Sequence, residues 1–106
     1  MEKQKLGVLL STPPSHPHLN TVVRLCEEGL RGSVDVYLYL IDDGVRALRD
    51  ERLASLSGAG LKLFVCAYGC QQHGVSTAQV QDNVQLCGLV VLSNILNGCD
   101  RFVAFN

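Results

Sequence analysis

Four short runs of apolar residues constrain this chain more than any other feature. They are Leu6–Leu10 (LGVLL), Val34–Ile41 (VDVYLYLI), Leu61–Val65 (LKLFV) and Arg101–Phe105 (RFVAF). Each is too short for a core helix, and the runs are rich in β-branched and aromatic residues, as strands are. They are apolar at consecutive positions rather than at every second one. A strand of that kind is covered on both faces, as parallel sheets are and most antiparallel sheets are not. Helical stripes fill the spaces between the runs, and alternation of strand and helix gives an α/β layered fold. The chain is therefore predicted to be a small doubly wound parallel sheet of four to five strands with helices on both faces.

The connecting segments follow from local chemistry. Ser11–His18 carries three prolines and reads as a loop. Asn20 is the expected N-cap of a first helix, whose apolar stripe is Val22, Val23, Leu25, Cys26 and Leu30 and whose stop is Gly32. Asp42, Asp43 and Gly44 end the second strand, the two aspartates serving as helix caps. Short helices are predicted over Val45–Leu48 and Glu51–Leu56, then a Gly58–Gly60 turn. Thr77 caps or begins a turn after Gly74. Asn83–Leu96 is predicted to be one long helix with Val84, Leu89, Leu92 and Ile95 along one face, ended by Gly98.

A length of 106 residues suits one domain, residues 1–106. The formal net charge is −1, so the composition offers no basic surface for nucleic acid. The polar stretch Met1–Lys5 does not resemble a signal peptide, and the apolar run Leu86–Leu92 is too short to cross a bilayer. The expected placement is cytoplasmic, away from membranes. Five cysteines, an odd number, in a reducing compartment imply free thiols rather than a disulfide framework.

Those thiols direct attention to VCAYGCQQHGV, residues 65–75. Cys66 stands where a buried strand hands over to a helix. A helix N-terminus carries partial positive charge and free N–H groups, which favour thiolate over thiol. Cys66 is thus the candidate nucleophile, against the common alternative of a buried packing cysteine. Cys70 follows four residues later, on the same helical face, and either packs inward or forms a second catalytic thiol. His73 completes a C-x3-C-x2-H pattern, which raises a redox or metal site at Cys66, Cys70 and His73. His16 and His18 lie in the first loop as further ligand types, although zinc cysteines usually come as C-x2-C pairs. Ligands of doubly wound sheets bind beyond the carboxyl ends of the strands. Ser11–His18, Asp42–Gly44 and Cys66–His73 should therefore share one rim. Cys26, Cys87 and Cys99 read as structural.

Between Asn83 and Leu96, apolar residues occupy more than one side. A helix packed on a single sheet shows a polar side, so the surplus points to burial between subunits, with Leu86, Val90 and Leu96 as candidates.

Four segments, in order, resemble the DsrE family of DsrE/TusD-like sulfur-relay proteins: LGVLLSTPP, LIDDGVRAL, VCAYGCQQHGV and GLVVLSNILNGCDRFVAF. The resemblance spans essentially the whole chain. It implies a flavodoxin-like sandwich and aligns Cys66 with the family's sulfur-accepting cysteine, with Gly74 and Val75 in register. Gly88, Leu89, Asp100 and Arg101 match the closing helix and strand. The implied function is intracellular sulfur transfer, with sulfane sulfur held as a persulfide on Cys66 and no organic cofactor. The implied partners are a TusA-like sulfur carrier or a rhodanese-like protein. The implied assembly is a homo-oligomer, a trimer ahead of a dimer or hexamer. Cys70 departs from the TusD pattern, which has a small residue there, and leaves room for a dithiol site. The competing expectations are a non-catalytic oligomeric binding or assembly module, and the redox or metal site above.

Overall fold

The computed structural model describes residues 3–78 and 83–106, so Met1 and Glu2 of the polar N-terminal stretch lie outside it. The described elements are β1 (Lys5–Leu10), α1 (His18–Arg31), β2 (Asp35–Leu40), a 3-10 helix (Asp42–Arg49), α2 (Glu51–Gly58), β3 (Lys62–Cys66), α3 (Ala67–Gln72), β4 (Val84–Cys87), α4 (Leu89–Gly98) and β5 (Arg101–Phe105). The strands form one five-stranded sheet in the order β4-β3-β2-β1-β5, parallel throughout. The α/β class and the upper strand number are as the alternation of runs predicts.

Register divides the sheet into two faces. Val8, Leu38 and Leu63 lie in line across one face, and Leu10, Leu40 and Val65 form the next row. This face is the drier one. It packs on Leu19, Val22, Val23 and Cys26 of α1, Val45 and Leu48 of the 3-10 helix, and Leu53 of α2, all buried. Full burial of one such side chain contributes about 1.5–3 kcal/mol. The other face carries Tyr37, Tyr39 and Phe64 and is covered by α4, whose Val91 and Ile95 border a pocket with Tyr37, Phe64 and Cys99. Strand order explains the split. From β1 to β4 the chain steps one strand at a time in one direction, and right-handed crossovers put α1, α2 and α3 on one face. The connection from β4 back to β5 runs the other way, and α4 falls on the opposite face.

Four sequence expectations need correction. The segment predicted as one helix over Asn83–Leu96 is a strand and a helix, β4 and α4, hinged at Gly88. Pairing decides it: β3 would otherwise present an open edge, and Val84–Cys87 lies in register along Leu63–Cys66. The N-cap of α1 is Pro17, not Asn20. Its φ of −58° is already helical, and the Asn20 side chain instead accepts a hydrogen bond from Arg52 at 3.0 Å. Neither Asp42 nor Asp43 caps by its side chain, because the 3-10 helix starts after Ile41 and has no side-chain cap. Asp42 adopts a left-handed backbone, φ 51°, which turns the chain tightly over the end of β1. The tightness is visible at Gly44, where any Cβ would run into the Leu10 carbonyl. The turn after Gly74 is made by Ser76, whose hydroxyl accepts from the Ala78 N–H, rather than by Thr77.

Candidate thiol site at the ends of β3 and β4

Cys66 is both the last residue of β3 and the N-cap of α3, with extended dihedrals (φ −68°, ψ 114°). The sequence dictates this handover. LFVC continues a buried strand, while AYGCQQ lacks β-branched residues and forms a short helix. The Sγ of Cys66 accepts a hydrogen bond from the Gly69 N–H at 3.4 Å. Glycine at 69 is required by packing, since a Cβ there would approach Val45 Cγ1 to 2.9 Å. Only a bare backbone lets α3 lie this close to the 3-10 helix and aim its N–H at the sulfur.

Two groups complete the site. Cys87 ends β4 as the register partner of Cys66, so the two side chains share a face. Its Sγ–H donates to the Val65 carbonyl at 3.7 Å, which turns the sulfur toward β3. Tyr39, fully buried on β2, reaches across β3 on that face and donates its hydroxyl to the Gly88 carbonyl at 3.0 Å. Burial, then the adjacent Cys87 and Cys66 thiols, push the Tyr39 phenol above its ordinary range, so it remains a protonated donor. Burial also pushes the Cys87 thiol up, partly offset by the Tyr39 hydroxyl.

This position has a topological reason. α3 leaves the end of β3 toward one face and α4 leaves the end of β4 toward the other. Adjacent strands whose chains depart to opposite faces open a crevice at their carboxyl ends. Cys66, only 6% exposed, and Cys87, half-buried, end those two strands.

The other predicted site residues separate. Cys70 is buried in the core cluster at 2% exposure, and burial followed by the neighbouring Cys66 raises its thiol. His73 ends α3 and turns away from the thiols. Its Nδ1 lies 3.4 Å from Asp43 Oδ1 and 3.3 Å from Arg46 Nη2, within a surface cluster closed by an Asp43–Arg46 pair at 3.4 Å. Exposed pairs of this kind contribute about 0–1 kcal/mol. His16 and His18 pack with ring centroids 4.0 Å apart and planes tilted by 54°, and His18 makes an edge contact with Phe105 at 5.5 Å, at the β1–β5 side of the rim. Among the described residues, no three His, Cys, Asp or Glu side chains converge as a metal site requires. The shared rim thus holds: the turn at Asp42–Gly44 touches Cys66–His73 on one side and the backbone at Leu10 and Ser11 on the other, and the histidines of the first loop stand farther along, beside β5.

Of the three cysteines read as structural, Cys26 is buried in α1 with its thiol pushed up to about 12 by burial and then Glu27, and Cys99 sits at the end of α4 with its thiol raised by burial. Both fit that reading. Cys87 does not. It was hidden because its segment reads as helix, which removes the strand register that pairs it with Cys66. Tyr39 was legible only as a strand residue, since its partner Gly88 lies 49 positions away.

Comparison with solved structures finds the same fold in 12 chains, among them the following three proteins. The ychN protein from E. coli is 23% identical over 98% of this chain and all of its own, with a TM-score of 0.82. MTH1491 from Methanobacterium thermoautotrophicum, a protein of unknown function, is 14% identical, with 96% of this chain and 99% of its own covered and a TM-score of 0.74. BT1422 from Bacteroides thetaiotaomicron, a conserved protein of unknown function, is 18% identical, with 96% and 95% covered and a TM-score of 0.69. No curated protein matches. The family model of the DsrE/DsrF-like proteins matches residues 4–105, the strand-end cysteine and closing β4–α4–β5 unit included, and the chain belongs to the DsrE/DsrF-like family.

Proposed function

We propose that this protein is a sulfurtransferase-type persulfide carrier. It takes sulfane sulfur onto Cys66 from one protein thiol partner and passes it to another. The observation that carries this reading is the Cys66 sulfur at the junction of β3 and α3, where it accepts a hydrogen bond from the Gly69 N–H at 3.4 Å. Membership of a family associated with sulfur relay supports it. In the loading step the Cys66 thiolate attacks the outer sulfur of a donor persulfide and the donor thiolate leaves. In the unloading step an acceptor thiolate attacks the outer sulfur on Cys66 and the Cys66 thiolate leaves. Negative charge rests on the Cys66 sulfur at the start of one step and the end of the other, and an N–H aimed at it serves both. The sulfur travels on the thiol, so the transfer needs no organic cofactor.

The partners in this reading are a TusA-like sulfur carrier or a rhodanese-like protein, met in the cytoplasm. No described helix is long and apolar enough to cross a membrane. Tyr68, 67% exposed and two residues from Cys66, is the aromatic surface a docking partner would meet. Cys70 lies buried in the core as a further thiol near Cys66, and neither step uses it. Assembly is part of the same reading: Leu86, Val90 and Leu96 are all exposed on the chain and would be covered in a homo-oligomer, a trimer ahead of a dimer or hexamer. That exposed apolar set also favours a second reading, an assembly module whose thiol is incidental. Incubation with a persulfide donor followed by peptide mass mapping separates the two. The carrier gains the mass of one sulfur on Cys66 and Cys66→Ser gains none there; a wild-type protein that never loads is an assembly module.

A further inference from the structure

We propose that Cys87 is the resolving thiol of this site: it displaces the sulfane sulfur from Cys66 as hydrosulfide and leaves a Cys66–Cys87 disulfide. The inference rests on the carrier reading and assigns a role to a cysteine which that reading leaves idle. Its basis is geometric. Cys66 and Cys87 are register partners on adjacent parallel strands. Neighbouring strands run about 4.8 Å apart, inside the span of about 4.4–6.8 Å between Cα atoms that a disulfide bridges. Partners in register point to one face, which sets the two side chains next to each other. The Cys87 sulfur is already turned to β3, 3.7 Å from the carbonyl that precedes Cys66. Tyr39 ties down the residue after Cys87 through the 3.0 Å bond to the Gly88 carbonyl, which holds the end of the edge strand against its neighbour. Cys70, the other thiol near Cys66, is packed in the core at 2% exposure.

The step balances without an outside oxidant. Starting from Cys66–Sγ–SH, the Cys87 thiolate attacks the Cys66 Sγ. The bond between Sγ and the outer sulfur breaks, HS⁻ leaves, and the Cys66–Cys87 bond forms. The sulfane sulfur gains two electrons and becomes sulfide, and the two cysteine sulfurs supply them. In-line displacement requires the outer sulfur to point away from the Cys87 sulfur when the bond breaks. A loaded protein that meets no acceptor therefore discharges and locks, and a dithiol reductant reopens it.

The test uses the full chain, reduced, loaded with inorganic polysulfide, freed of excess reagent and held without acceptor. Wild type should release sulfide as the Cys66 persulfide disappears, and non-reducing peptide mapping should show a Cys66–Cys87 cross-link. Cys87→Ser, with Cys87→Ala as a second variant, should keep the persulfide about tenfold longer or more, a barrier change of about 1.4 kcal/mol. Cys70→Ala should discharge like wild type. Discharge of both Cys87 variants at the wild-type rate overturns the proposal, and so does a Cys66–Cys70 cross-link. A parallel arm oxidises the unloaded, reduced protein with diamide, and the Cys66–Cys87 pair should form first among the five cysteines. A protein that never loads but still forms this pair refutes the carrier reading and the release step while leaving the paired geometry standing. A protein that loads but does not form it refutes Cys87 alone.

Discussion

Tyr39→Phe removes one oxygen from the centre of the site and nothing else. The phenyl ring keeps its place, so no cavity opens. What is lost is the 3.0 Å bond to Gly88, the tether that fastens the end of the edge strand β4 to a strand two places away. An intramolecular hydrogen bond is worth about 1 kcal/mol net, and a carbonyl left without a partner adds to the loss; about 1–2 kcal/mol is expected. At about 4–8 °C per kcal/mol for a chain of this size, the melting midpoint should fall by roughly 4–16 °C. Urea titration at neutral pH gives the same quantity directly. The pH dependence provides an independent check. The folded-state phenol titrates above its ordinary 10.0. Between that value and the raised one the folded chain holds a proton that the unfolded chain has released, so stability falls as pH rises there. The contribution is complete below pH 10 and is lost on the alkaline side. The phenylalanine variant has no such group, and the gap between the two proteins should narrow above pH 10. Equal stability at neutral pH, with β4 amides exchanging as slowly as in wild type, would refute the tether.

The remaining predictions concern packing and surface. Cys70→Ala deletes one buried sulfur and should cost about 1 kcal/mol in urea titration, while mass mapping should still find sulfur loading on Cys66; lost loading would make the two thiols one site. Gly44→Ala should cost about 3 kcal/mol or more, because the obstacle to its Cβ is the Leu10 backbone, which cannot rotate aside; a mild effect would show that the turn relaxes. Val90 is 76% exposed on the isolated chain, so Val90→Asp should leave the fold intact and dissociate any assembly that covers it, since an unpaired buried carboxylate is costly. Sedimentation of wild type as a dilute folded monomer would remove the assembly claim.

Short apolar runs of strand-forming residues were the legible part of this chain. β1, β2, β3 and β5 are near-continuous apolar runs, and Arg101–Phe105 coincides with the strand found. Gly32 as the end of α1 follows from glycine's tolerance of helix termini, and Cys66 at the strand–helix junction follows from the change of pattern at one residue. What was not legible depended on partners distant in sequence. Val84–Cys87 has four residues and no clean alternation of burial, and the apolar residues of α4 continue its pattern with only Gly88 between. A four-residue strand of this kind exists because β3 supplies its hydrogen bonds, and no local signal reports that. Asp43 and His73 likewise satisfy each other and Arg46 across 30 residues instead of capping helices near them.

The missed strand also accounts for the missed half of the site. The carboxyl-end rule gives the correct edge of the sheet from strand order alone, but the point along that edge depends on where outgoing chains part to opposite faces. Without β4 the helix after Gly88 has no strand to leave from, and the parting cannot be placed. With β4 present it falls between β3 and β4, since α3 goes to the face of α1 and α2 while α4 goes to the other. Cys66 then acquires a neighbour that its own segment does not contain. The same topology explains why Tyr39 is needed. β4 is an edge strand held by one neighbour, and its last residue precedes the glycine at which the chain turns back over the sheet. Left to strand pairing alone, that end would fray. A hydroxyl reaching over β3 from β2 is the shortest route by which a strand not bonded to β4 can hold it, and it passes beside the Cys66 sulfur on the way. Fastening the strand and furnishing the thiol site are thus one contact, so a change that loosens β4 should also change the reactivity of Cys66.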